Sequence, residues 1–225
     1  MSNNFCIKPF NSAEIRTDGR IRVCCRINEK ISKFNGKKEF NANKDSIKDF
    51  FNSDYIANLK QKFLNNEQPV ECKDCWTHEK QGHRSLRMES NYLHKIVFTK
   101  NSKKYLKLLK LDNLSFPQDL LIEVTNLCNL KCQMCGGNNS SKLLVENNAL
   151  GYKKLNQKDY EFHNFTWKNI EHILSHDSKL LTLVGGEPLM VPNIRKILQR
   201  CIDKKISKNI FLQIFTNGTL YDNEF

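Results

Sequence analysis

The sequence predicts an α/β fold of parallel βα units, preceded by a small α+β module rich in cysteine. Two observations predict it. Beyond Pro117, short runs of strand-forming residues alternate with helical segments, the order that joins parallel strands by crossovers. Ahead of that point, Cys6, Cys24, Cys25, Cys72 and Cys75 are spread over a hairpin, a helix and a loop.

In chain order, "AEIRTDGRIRVC" (13 to 24) alternates around a Thr-Asp-Gly turn, with Ile15, Ile21 and Val23 as candidate buried positions, and predicts a β-hairpin. From Asp45 to Asn65 the period becomes helical: Ser53 precedes "DYIANLKQKFL" as an N-cap, and Ile56, Leu59 and Phe63 share one face. "PVECKDCW" reads as a loop interrupting that helix. A polar helical connector follows, closing at "SFP". Next come the strand "DLLIEVT" (119 to 125), the capped helix "TWKNIEHILSH" (166 to 176) and the strand "KLLTLV" (179 to 184). The helix "NIRKILQRCIDK" (193 to 204) and the strand "NIFLQIF" (209 to 215) complete the series. This divides the chain into a cysteine-rich module (1–80), a connector (81–117) and the βα region (118–225).

The chain of 225 residues is 39% hydrophobic, enough for a packed core. Its longest apolar runs fall far short of the roughly 20 residues that span a bilayer, and "MSNNFCIKPF" has no signal-peptide core. The expected location is the cytoplasm, where nine cysteines argue for metal binding over disulfides. The net charge of +12 is dispersed. Its densest stretch, "KIVFTKNSKKYLKLLK" (95 to 110), fits an amphipathic helix with Leu106 and Leu109 inward and Lys103, Lys107 and Lys110 solvated, which argues against a nucleic-acid site.

The strand at 119–125 runs into "TNLCNLKCQMCGG", with Cys128, Cys132 and Cys135. Offsets of four and seven would also suit one helical face. Polar Asn129, Lys131 and Gln133, and the ending Gly136-Gly137, favour an exposed loop. Such a loop can wrap an iron-sulfur cube, bringing three thiolates to three irons and leaving one coordination position open, the mark of a catalytic metal.

"CNLKCQMC" after a first strand resembles the signature of the radical S-adenosylmethionine (radical SAM) enzymes. At the end of the second strand, "GGEP" (Gly185, Gly186, Glu187, Pro188) resembles the family's motif for the methionine amino group. "TNG" (Thr216 to Gly218) ends the third strand, as is common in relatives. The resemblance implies the first half of a partial (β/α)6 barrel of TIM type, holding a 4Fe-4S cluster and S-adenosyl-L-methionine. The implied cluster ligands are Cys128, Cys132 and Cys135, and the implied cofactor-binding residues are Met134, Gly185, Gly186, Glu187, Pro188 and Asn217. Met134 stands where many relatives carry an aromatic residue. Paired glycines permit close backbone approach, and strand C-terminal ends are where such barrels build sites.

"CIKPF", "DGRIRVCC" and "CKDCW" resemble SPASM and twitch modules. This implies a second, auxiliary 4Fe-4S cluster on Cys6, Cys24, Cys72 and Cys75. Cys24 and Cys25 project to opposite faces, and either is the ligand. A zinc ribbon on the same four cysteines is the rival, with His78 in reach of it. The other histidines have no ligand partner in the sequence, and Cys201, beside Ile197, Leu198 and Ile202, is expected in the core.

The resemblance further implies a 5′-deoxyadenosyl radical used on a peptide or small-protein substrate, with electrons from a donor such as flavodoxin or ferredoxin. Asp119 to Phe225 is under half of the roughly 250 residues of a complete barrel. The expectation is therefore either an enzyme that needs a partner chain for the missing barrel half, or a non-catalytic iron-sulfur or zinc protein acting with a partner. No membrane contact is expected.

Overall fold

A computed structural model describes residues 4–28, 39–98, 114–152, 156–174 and 178–220. The chain forms two units: residues 1–14, 21–40 and 45–118 make the first, and residues 15–20, 41–44 and 119–225 the second.

In the second unit the apolar runs become three parallel strands, β3 (Asp119–Glu123), β4 (Leu180–Val184) and β5 (Phe211–Ile214), in the spatial order β3-β4-β5. Leu120 pairs with Leu181 and then Leu212, and Ile122 with Leu183 and then Ile214. Strand alternation puts these rows on one face. Burial declines along them. Leu120 and Leu181 are 0% and 1% exposed, whereas Leu212 on the edge strand is 40% exposed.

Between β3 and β4 lie α6 (Ser141–Ala149) and α7 (Asn164–Leu174); α8 (Pro192–Asp203) joins β4 to β5 and packs on α7. Helix α7 buries Trp167, Ile170, Ile173 and Leu174, and α8 buries Ile194, Ile197 and Cys201, at helical spacing in both. Cys201 is therefore a core residue, as expected. Helix α7 starts at Asn164, before the Thr166 expected from sequence, and Asn43 Oδ1 accepts a hydrogen bond from His163 N, just ahead of it, at 3.0 Å. Thr166 is instead buried, its hydroxyl 2.8 Å from the Ala42 carbonyl.

The first unit holds α1 (Lys8–Asn11), strands β1 (Ser12–Ile15, its last residue in the second unit) and β2 (Ile21–Arg22), and α2 (Ile47–Phe51), α3 (Asp54–Leu64), α4 (Lys73–Lys80) and α5 (Leu86–Phe98). The predicted hairpin is present: Arg16 N donates to the Arg20 carbonyl at 2.9 Å, and Gly19 takes a φ of 81° that its turn requires. Ile15, Ile21 and Val23 are buried. Ser53 caps α3 by accepting from Ile56 N, and Ile56, Leu59 and Phe63 face inward.

Two elements differ from expectation. "PVECKDCW" is no loop: a 3-10 turn at Val70–Cys72 leads directly into α4, so Cys72 and Cys75 flank a helix start. Pro69 initiates this turn, accepting from Cys72 N and from the Trp76 indole, each at 3.0 Å. Helix α6 has no counterpart among the expected elements, for it buries only Leu144 and follows an Asn-rich stretch that mimics a loop. Ser140 starts it as N-cap. Of the expected basic helix at 95–110, residues 99–113 lie outside the described residues.

Leu120→Ala should cost ~2–5 kcal/mol in denaturant unfolding, as for a fully buried leucine. Leu212→Ala, on the exposed edge, should cost well under half of that.

Candidate metal centre

Three segments converge at the C-terminal ends of the parallel strands. The cysteine loop leaves β3, "GGEP" leaves β4 and "TNG" leaves β5.

The segment holding Cys128, Cys132 and Cys135 is a loop and not a helix. Its closure rests on Asn126, which is wholly buried. The Asn126 amide donates to the Gly137 carbonyl at 2.9 Å and accepts from Gln157 Nε2 at 2.7 Å, while its backbone carbonyl accepts from Ser141 N at 2.7 Å. Both ends of the loop are thereby tied together and to the start of α6. Ser140 Oγ donates to the Leu130 carbonyl at 2.7 Å, and Lys142 Nζ to the Asn129 carbonyl at 2.8 Å. Inside this frame Cys128 is 9% exposed, Cys135 half-buried and Cys132 exposed.

The three thiols are neighbours. The Cys135 thiol is pushed above its ordinary value by partial burial, then by the adjacent Cys132 and Cys128. A donor set crowded this way favours an occupant that neutralises thiolate charge. Among the described residues, no three His, Cys, Asp or Glu side chains converge as one metal ion requires. A cluster asks for something else, one thiolate per iron, and the three-cysteine loop fits that demand.

Gly185 and Gly186 carry the loop. Gly185 has a φ of 128°, and a Cβ there would lie 2.6 Å from the Thr125 carbonyl oxygen. One on Gly186 would lie 2.7 Å from the Asn126 carbonyl carbon. Gly186 N donates to the Thr125 carbonyl at 2.7 Å and Glu187 N to the Leu127 carbonyl at 2.8 Å. What approaches these glycines is the backbone leading into the cysteine loop.

Glu187 is fully buried, and both carboxylate oxygens are used within the chain. Oε1 accepts from Leu189 N at 3.0 Å and from the Thr216 hydroxyl at 2.9 Å; Oε2 accepts from Asn217 N at 2.8 Å. Its side chain ties β4 to β5, leaving backbone groups of the motif to meet a ligand. Pro188 is buried at the start of a short 3-10 turn, and Met134 is 94% exposed. Asn217 reaches the cysteine loop, its Nδ2 2.9 Å from Asn129 Oδ1.

In the first unit, Cys6, Cys24, Cys72 and Cys75 line one small cavity, with Lys8, Arg26 and Arg87 in its wall. Cys25 is exposed and does not line it. His78, on α4, is not in the wall either. Burial pushes the Cys6 thiol up to about 12, with Cys75 adding to the effect against the opposing Lys8 N–H. Burial raises Cys24 and Cys72 as well, and the neighbouring thiols raise them further. Four adjoining thiols, two of them buried and two half-buried, cannot ionise together without a positive occupant.

Arg87 braces this cavity. Its guanidinium forks onto Glu79 at 2.9 and 2.7 Å, donates from Nη1 to the Phe5 carbonyl at 2.7 Å and lies 4.9 Å from the Trp76 ring centroid. Sequence reasoning missed Asn126, Ser140, Glu79 and Arg87. Asn126, beside the first cysteine, carried a signal in its position; Arg87 carried none.

Residues 122–225 match the family model described as Radical SAM superfamily, and residues 6–76 match the SPASM model, described as an iron-sulfur cluster-binding domain. Over 108 residues the chain is 36% identical to an uncharacterised protein of Methanocaldococcus jannaschii, a match covering 47% of this chain and 32% of that protein. The match thus spans about a third of the length of that curated relative. No solved structure matches.

Gly186→Ala should cost ~1–3 kcal/mol through overpacking against the 125–127 backbone, and iron bound by the second half should fall with it. Chemical unfolding and metal analysis check both. For Glu79, partial burial works to raise its carboxyl, but hydrogen bonds from Arg87 and Ser85 and the Arg87 charge outweigh it and hold the group below 4.5. A lowered folded value stabilises above the unfolded one and is lost as pH falls. Stability should therefore drop on acidification below pH 4.5, and less so in Glu79→Gln.

Proposed function

Because this chain belongs to the radical SAM superfamily and carries a SPASM-type iron-sulfur module ahead of that region, we propose that it binds a 4Fe-4S cluster on Cys128, Cys132 and Cys135 and docks S-adenosyl-L-methionine at the cluster's open position. The observation that carries this reading is the donor set itself: three neighbouring thiols on a clamped loop at the strand ends. When bound, cluster and cofactor supply a 5′-deoxyadenosyl radical for hydrogen abstraction.

The chain's own residues then have distinct tasks. Asn126 and Ser140 hold the cysteine loop closed. Gly185 and Gly186 let the loop backbone seat against the end of β4, and present their own backbone groups beside it. Glu187 fixes Thr216 and Asn217 opposite. Met134, with its side chain outward, offers its backbone to the adenine, as the family resemblance implies.

Cys6, Cys24, Cys72 and Cys75 hold an auxiliary cluster in the same proposal, with Cys24 rather than Cys25 as ligand because Cys24 alone of the two lines the cavity. A peptidyl side chain is the proposed substrate, with a small redox protein such as flavodoxin or ferredoxin as electron source. The cytoplasm is the proposed location; no helix among the described residues is long and apolar enough to cross a membrane.

A second reading has its own observation. Strand β5 is exposed over its first three residues, with Phe211 58% and Phe215, just beyond the strand, 57% exposed. Parallel sheets are ordinarily covered on both faces. This favours association with further βα units laid against β5, and a non-catalytic role without them.

Anaerobic reconstitution with iron and sulfide, followed by electron paramagnetic resonance, separates the readings. A signal that changes on adding S-adenosyl-L-methionine, together with 5′-deoxyadenosine release that Cys132→Ala abolishes, is the expected result. Bound zinc, or release undiminished in Cys132→Ala, would refute the proposal. Cys24→Ser should lower the iron content where Cys25→Ser leaves it unchanged.

A further inference from the structure

We propose that Asn217 is a positioning residue that, by donating its side-chain amide to Cys128 Sγ, makes the loop cluster easier to reduce. This inference rests on the cluster reading above. Two N–H groups point at the Cys128 sulfur: the backbone amide of Leu130 at 3.5 Å and Nδ2 of Asn217 at 3.9 Å. Cys128 is also a buried thiol of the three, where a hydrogen bond gains most from the low surrounding dielectric.

The direction of the Asn217 amide is fixed by its neighbours. Its Oδ1 accepts from Thr219 N at 3.0 Å and from the Thr219 hydroxyl at 2.7 Å. Its Nδ2 donates to Asn129 Oδ1 at 2.9 Å, and Asn129 in turn donates from its own Nδ2 to the Thr219 hydroxyl at 2.7 Å. Turning the amide over would set its oxygen against Asn129 Oδ1 and its NH2 against the Thr219 N–H. The backbone of Asn217 is held separately, by Glu187 Oε2. An N–H is therefore kept facing the sulfur without help from any bound ligand.

Donors to a cysteine sulfur stabilise negative charge on it, and the reduced cluster carries one more negative charge than the oxidised one. The step concerned is the addition of a single electron, supplied in the test by dithionite, with no bond made or broken. Removing the donor should favour the oxidised form. Asn217→Leu removes the amide at similar size. Asn217→Asp keeps the shape and the Thr219 contacts but turns the donor into a carboxylate oxygen, and should act more strongly.

The test follows the resonance signal that responds to S-adenosyl-L-methionine in full-length reconstituted protein during a dithionite titration. Reduced-to-oxidised ratios at fixed potential should fall about tenfold in Asn217→Asp, equivalent to about 59 mV for one electron, and by a smaller factor in Asn217→Leu. Iron and sulfide content should match the wild type, a result that a merely structural role would not combine with a moved potential. Should Asn217→Leu fail to assemble a cluster, Asn217→Asp decides alone. A full cluster with an unmoved ratio in Asn217→Asp would overturn this inference and leave the cluster reading standing. A wild-type chain taking up no iron at Cys128, Cys132 and Cys135 would overturn both.

Discussion

Everything at the strand ends depends on one contact between two bare stretches of backbone. Thr125 to Leu127, entering the cysteine loop, lie against Gly185 and Gly186, leaving β4, and donors on Gly186 and Glu187 bind the Thr125 and Leu127 carbonyls. No residue with a Cβ fits at either glycine without moving main chain, and main chain cannot yield as a flexible side chain does. The loop position is consequently set by β4 as much as by β3, although the thiols belong to β3 alone. A motif read from sequence as ligand-facing is first a seat for the neighbouring loop.

The two sets of cysteines live in opposite surroundings. Those of the first unit line a cavity, where burial raises Cys6, Cys24 and Cys72. Those of the second lie on a loop that leaves Cys132 exposed. Burial excludes exchangeable ligands and suits a closed, four-thiolate site; exposure with three thiols suits a position that a small molecule enters and leaves. Lys8, Arg26 and Arg87 stand in the wall of the first, and Arg87 is held there by Glu79 and the Phe5 carbonyl. Burial, nearby charge and hydrogen bonds to sulfur are what set the potential of any cluster held by such cysteines.

Much of this was legible in the sequence because it follows from short-range rules. Period-two and helical patterns located β3, β4, β5, α7 and α8 to within a few residues, and Ser53 marked the start of α3 through its hydroxyl. The cysteine spacings and the glycine pair were visible as spacings. Helix α6 was not legible, since a helix burying one leucine has almost no apolar period to detect. The start of α4 reads as a loop in the sequence because proline also marks loops, whereas Pro69 caps the 3-10 turn that leads into the helix. Arg87 and Asn43 were invisible for another reason: each acts on residues far along the chain, on Phe5 and on His163, and no local pattern encodes such partners.

The burial gradient across the sheet limits where the site can be rigid. From β3 to β5 the inward row passes from fully buried Leu120 to Leu212, 40% exposed, so β5 has the least packing behind it. Yet Thr216 and Asn217, just past β5, complete the ring of groups around the cysteine loop. Their placement cannot rest on the packing of β5. It rests on the Glu187 carboxylate, which grips Thr216 Oγ1 and Asn217 N from the well-buried end of β4. A buried carboxylate held by several donors is costly to disturb, so the exposed edge strand is anchored at its C-terminal end by a contact from the buried strand beside it. Further strands laid on β5 would add packing to an arrangement that Glu187 already holds in register.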